Sequence, residues 1–189
     1  MLHVIGIVGM PGAGKSSCIE HLQRERGAKV VNMGDMVREQ VTKAGLAINP
    51  DTLGKMAEEL RKKRGLDVVA QLTAEKVSAI AGSDDLVIID GLRSMQEVAF
   101  FRKRWRFPVL AVHSPPRVRH QRLLARQRAD DSSDPEYYAK REARELKFGI
   151  AEVIVLADEM IVNSASTTEQ ELQAMAVTAI DRLLQEAGQ

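Results

Sequence analysis

The sequence predicts an α/β fold in which helices cover both faces of a five-stranded parallel sheet. Three observations predict it. Five short apolar runs rich in Val and Ile are spread along the chain, the pattern of strands buried on both faces. Longer stretches of helical periodicity separate them, as parallel strands require. The first run also leads straight into a glycine-rich loop with a helix behind it.

LHVIGIVG (Leu2 to Gly9) is the first strand and GMPGAGKS (Gly9 to Ser16) the loop that follows. AKVVNM (Ala28 to Met33) is the second strand. A mostly helical stretch comes next, in which Asn49 suits an N-cap and Pro50 the first helical position. Leu53, Met56, Ala57 and Leu60 then line one helix face. DLVIID (Asp85 to Asp90) is the third strand, followed by Ser94 and Glu97 at capping-box spacing. FPVLAVH (Phe107 to His113) is the fourth, with helix starts at Ser114 and Asp134, each before a proline. EMIVN (Glu159 to Asn163) is the fifth, and Thr168 with Glu171 opens a last amphipathic helix. The two longest gaps between strands predict a helical segment over about 34–81 and a lid over about 114–149, within a single domain of residues 1–189.

Composition excludes several classes. The net charge of +1 gives no global attraction to nucleic acid. Cys18 is the one cysteine, so an internal disulfide and a cysteine-based zinc site are ruled out. The expectation for Cys18 is a packing role. The N-terminus lacks the basic region of a secretory signal and runs straight into the glycine-rich loop, and no apolar run approaches the ~20 residues of a membrane span. These features predict a cytoplasmic protein. The cations of LRKKRG (Leu60 to Gly65) and FRKRWRF (Phe101 to Phe107) are expected at helix ends, with Trp105 as an anchor.

Gly9, Gly14, Lys15 and Ser16 satisfy G-x-x-x-x-G-K-[ST], with a strand before and a helix after. Such a loop lets backbone N–H groups approach phosphate oxygens at a helix N-terminus. The segment Gly9, Gly12, Ala13, Gly14, Lys15, Ser16 and Ser17 is therefore the expected cradle for ATP. Lys15 would neutralise the β/γ-phosphates, and Ser16 would bind Mg²⁺ together with Asp90 at the end of the third strand. No N-K-x-D guanine motif is present, and Gly91 follows Asp90 where many motor ATPases carry a water-activating Glu. Transfer of the phosphoryl group to a bound acceptor is the better reading. Arg38 and Arg93 follow strand ends, where open α/β sheets bind ligands. Arg119, Arg122 and Arg126 share a helix face suited to a closing lid, and Arg141 and Arg144 lie beyond it.

GMPGAGKS, VVNMGDMVREQV, LGK at Leu53 to Lys55, and VIIDGLRS resemble the ordered motifs of adenylate kinases and other nucleoside monophosphate kinases. The resemblance implies that Asp35 begins an acceptor-site helix and that Arg38 and Arg93 grip an anionic acceptor. ADEMIVNSAS (Ala157 to Ser166) is similar to the ending of dephospho-CoA kinases, which implies that the loop at Asn163 approaches the adenine of ATP. The whole chain most resembles an archaeal group of adenylate-kinase-related P-loop proteins.

The expected function is ATP- and Mg²⁺-dependent phosphoryl transfer to a small anionic acceptor. A nucleoside monophosphate comes first, and dephospho-CoA second, with Asp35 as base if the acceptor is a hydroxyl. Lys15, Asp90, Arg122 and Arg126 are the expected catalytic set, with Arg141 helping to bind the acceptor. An ATP-dependent assembly or RNA-associated factor on the same fold is the alternative of another class, supported only by RKRWRF.

Overall fold

In a computed structural model, residues 1–126 and 135–185 are described, the side chains of Pro50, Arg126 and Pro135 aside. The strands are β1 (His3–Val8), β2 (Lys29–Asn32), β3 (Leu86–Asp90), β4 (Val109–His113) and β5 (Glu159–Val162). They form one parallel sheet in the order β2-β3-β1-β4-β5. The helices are α1 (Lys15–Arg26), α2 (Met33–Lys43), α3 (Pro50–Arg64), α4 (Val68–Ile80), α5 (Met95–Arg104), α6 (Pro116–Arg126), α7 (Pro135–Phe148), α8 (Ile150–Val155) and α9 (Glu169–Gln185).

Alternation along each strand divides the core in two. Val4, Val8, Val87, Ile89, Val109 and Ala111 face the cluster shared with α2, α4, α5 and α8. Ile5, Ile7, Ile88, Leu110, Val112 and Ile161 face α1 and α9. Leu22, Phe101 and Ile180 are almost wholly buried, each contributing about 1.5–3 kcal/mol of apolar burial.

Local chemistry sets the helix ends. Asn49 and Thr52 form the reciprocal cap of α3, and the Ser94 hydroxyl accepts from the Glu97 amide at the start of α5. Thr168 and Glu171 cap α9 in the same manner. One break was not legible beforehand: α7 and α8 are separate because Gly149 turns at φ 100°, a conformation that excludes most side chains. Two of the RKRWRF cations are engaged at the end of α5. Arg102 pairs with Asp158 at 2.7 Å, and Arg104 lies over the Trp105 ring while donating to Ser78. Trp105 stacks on Phe101. Among the described residues no helix is long and apolar enough to cross a membrane.

The chain leaves β1 on one side, builds β2 and β3, then crosses to β4 on the other. Ligands of open α/β sheets bind at such a switch, beyond the strand C-termini. Ile7 and Asn32 both stand opposite Asp90 in the ladder, so the ends of β1, β2 and β3 share one rim.

Candidate functional site

The loop between β1 and α1 is held by its protein neighbours. A Cβ on Gly9 would lie 2.3 Å from the Val112 carbonyl oxygen. Gly14 has φ 107°, and a Cβ there would lie 2.4 Å from Asn163 Nδ2. Asn163 donates from Nδ2 to the Ala13 carbonyl at 2.9 Å. Its Oδ1 accepts from Arg122 Nη2 at 2.9 Å, and the same guanidinium reaches Ser164 O and Ser114 Oγ. Arg119 reaches the Pro11 carbonyl and pairs with Glu142 of α7. The loop is thus braced by β4, β5, α6 and α7 in one frame.

Lys15 folds back and donates from Nζ to the Gly9 carbonyl at 2.7 Å. Burial lowers its pKa, against the opposing charges of Asp90 and Glu145. Asp90 Oδ2 accepts from Asn32 Nδ2 at 2.9 Å. Its Oδ1 is buried and has no hydrogen-bond partner among the described residues. An orphaned carboxylate oxygen is costly in a fold and suits a hard cation. Ser16 lines the same chamber, and hydroxyl plus carboxylate is an oxygen donor set that fits Mg²⁺. Among the described residues no group of three or more His, Cys, Asp or Glu could hold a metal. Mg²⁺ needs no such cage, because phosphates and waters complete its shell.

Two chambers meet at this rim. The first, about 380 Å³, runs from the loop past Asp90 to Arg93, Arg122 and Arg141. The second, about 350 Å³, lies between α2, α3 and α7. Arg38, Arg61, Arg93, Arg141 and Arg144 line it, against an apolar wall that includes Val37, Leu53 and Phe148. Gly34, Arg38, Arg93, Arg141 and Glu145 line both chambers. Arg38 pairs with Asp35 one turn away. Arg93 Nε donates to Glu145 Oε2 at 2.6 Å. Arg61 pairs with buried Glu97 at 3.1 Å and lies over the Phe148 ring, 4.6 Å from its centre.

The fold brings together Gly9, Gly12, Ala13, Gly14, Lys15, Ser16, Arg38, Asp90, Arg93, Arg122 and Arg141, all of which border the first chamber. Three expected residues stand elsewhere. Ser17 Oγ donates to Glu169 on α9 at 2.9 Å, because it lies on the α1 face that packs on α9. Asn163 is only 3% exposed and props the loop. Asp35 is exposed and lines neither chamber. The Arg126 side chain lies outside the described residues. Arg119, expected on the lid face, lies on the buried side of α6, against Pro11 and Glu142.

Residue reading missed Glu145, Arg61, Asn32 and Phe148. A signal existed for some of them. Arg61 extends the stripe of Leu53 and Ala57, and Tyr138, Arg141, Glu145 and Phe148 follow helical spacing on α7. A charged residue within an apolar stripe points inward with a partner.

The chain is 40% identical to a UPF0200 protein of Thermococcus onnurineus, over 97% of this chain and 99% of that relative. The chain belongs to the UPF0200 family. A second UPF0200 protein, from Methanocaldococcus jannaschii, is 38% identical over 97% of this chain and 89% of its own length. Residues 8–137 of this UPF0200 protein also match the family model described as an AAA domain. Among solved structures, TT1252 of Thermus thermophilus superposes with TM-score 0.61 at 20% identity, covering 95% of this chain and 97% of that one. Shikimate kinase of Acinetobacter baumannii, in complex with shikimate, gives 0.60 at 18% identity, covering 98% and 95%. The UPF0200 protein therefore has a P-loop kinase fold.

Proposed function

We propose that the protein transfers the γ-phosphoryl group of ATP to a small anionic acceptor held in the second chamber. One observation carries this reading: the chamber at the phosphate-type loop and the second, arginine-lined chamber share Arg38, Arg93 and Arg141 in their walls. Phosphoryl transfer depends mainly on alignment and charge neutralisation, and this cleft offers both.

ATP would lie on Gly12 to Ser16, with Lys15 leaving the Gly9 carbonyl for the β/γ-phosphates. Ser16 and the free oxygen of Asp90 would hold Mg²⁺, which would screen phosphate charge and orient the donor. Arg122 is anchored beside the loop and would face the transferring group. Arg38 and Arg93 would grip the acceptor's own anionic group, with Arg141 between the two ligands. The segment 34–81 would supply the acceptor wall, and residues 114–126 and 135–149 the lid, the rest of the expected 114–149 segment lying outside the described residues.

A nucleoside monophosphate is the acceptor that GDMVREQ favours, and the apolar wall suits its base. A hydroxyl acceptor of the dephospho-CoA kind is the second reading, favoured by a carboxylate, Glu145, lining both chambers. Incubating the protein with ATP·Mg²⁺ and AMP, CMP or dephospho-CoA, and resolving products by mass, tests this. Acceptor-dependent ADP release with a phosphorylated product is expected. ATP hydrolysis indifferent to every small acceptor counts against it.

A further inference from the structure

Glu145 is the cleft's unassigned group. It is 6% exposed, in the last turns of α7. The carboxylates lining the two chambers, among the described residues, are Asp90 and Glu145, and Glu145 alone reaches the second chamber. Asp90 stands on the rim with the loop, its Oδ2 engaged by Asn32. Glu145 is bonded through Oε2 to Arg93, and its charge bears on Lys15. It therefore lies at the seam, between the cation of the donor side and the cations of the acceptor side.

A carboxylate there has opposite consequences for two kinds of acceptor. A phosphate acceptor has no proton to lose and brings negative charge against a buried anion. An alcohol brings no charge at its reacting atom and must lose a proton. We propose that Glu145 is the proton acceptor of the reaction and sets its specificity, so that the reacting group is an alcohol on a molecule anchored by a separate anionic group. The alcohol oxygen bonds to the γ-phosphorus as the bond to the β,γ-bridging oxygen breaks. ADP leaves with that electron pair, and the alcohol proton passes to a Glu145 carboxylate oxygen. Arg93, Arg144 and Arg141 outweigh the burial of Glu145 and keep it ionised. A weak base suffices, because a loose transition state lets the proton move late.

The proposal rests on the phosphotransfer reading and selects the second of its acceptors. The test presents wild type, Glu145→Gln and Glu145→Asp with ATP·Mg²⁺ and two acceptor sets. One set is alcohols bearing an anionic group (dephospho-CoA, shikimate, gluconate), and the other is AMP and CMP. Folding and ATP affinity of each variant are followed by thermal melts and calorimetry. Wild type is expected to phosphorylate an alcohol. Glu145→Gln is expected to lose roughly 100-fold in kcat with acceptor KM within about threefold, and Glu145→Asp to keep most of the rate. A merely structural role would raise acceptor KM and leave kcat largely unchanged, which overturns the proposal. So does wild-type product from AMP or CMP but from no alcohol, an observation that needs no variant to fold. Failure with both sets, ATP still binding, removes the phosphotransfer reading itself.

Discussion

Asn163 Nδ2 donates to the carbonyl of Ala13, 150 residues away in sequence, and the contact is buried. The same amide accepts from Arg122. One side chain thus joins the end of β5 to the phosphate-type loop and to helix α6. Asn163→Ala removes both bonds and leaves the Ala13 carbonyl unsatisfied, at about 1–3 kcal/mol. The expected result is a lower melting temperature together with ATP affinity weakened roughly tenfold, the latter from loss of loop preorganisation. Chemical denaturation and calorimetry on the same variant read the two effects. Full stability with unchanged ATP affinity would argue against the brace.

Asp90→Asn separates metal binding from folding. The free Oδ1 makes Asp90 a poor contributor to the fold without a cation, so the neutral variant is expected to melt at the wild-type temperature or above when no metal is added. Ligand that binds only the native state stabilises it by mass action. The rise in melting temperature that Mg²⁺·ATP gives wild type is therefore expected to shrink in the variant towards that given by ATP alone. A scanning-fluorimetry series with and without Mg²⁺ provides the comparison.

Cys18 is buried in α1, and burial lifts its thiol pKa from 9.0 to about 12. The thiolate is the reactive form, so at pH 8 the native protein is expected to resist iodoacetamide for hours and to be alkylated within minutes in denaturant. Rapid labelling of the folded chain with activity retained would contradict a packing role.

Acid should release α7. Burial alone would raise the carboxyl pKa of Glu145, but Arg93, Arg144 and Arg141 hold it below the ordinary 4.5. A folded value below the unfolded one means the stabilisation is complete above about pH 4.5 and fades as pH falls through the lower folded value. Hydrogen exchange of α7 amides is expected to quicken over that acid range in wild type. In Glu145→Gln the exchange should already be fast at pH 7 and change less.

Much of the fold was legible because its signals are local. Runs such as LVIID announce buried parallel strands, and Asn49, Ser94 and Thr168 announce helix starts by hydrogen bonds within a few residues. The loop at Gly9 to Ser16 was legible because its chemistry is contiguous, and Asp90 because it ends a strand. The rest depends on partners distant in sequence. Arg61 reads as a helix-end cation until Glu97 and Phe148 are seen beside it. Glu145 reads as one charge among many on α7 until Arg93 meets it across 52 positions. Asn163 was legible as a site residue by resemblance, but its work against Ala13 belongs to tertiary packing. Glycines at 9 and 14 were read as room for phosphate. Their neighbours Val112 and Asn163 add a second reason, since any Cβ there collides with the protein itself.

The central claim is that Lys15 and Asp90 serve one bound nucleotide. Calorimetric titration of ATP, with and without Mg²⁺, into wild type and Lys15→Ala tests it most directly. Micromolar, Mg²⁺-enhanced binding is expected for wild type, weakened roughly 100-fold in the variant, which lacks the only side-chain cation within the loop. Equal ATP affinity in the two proteins, or none in wild type, would contradict the account.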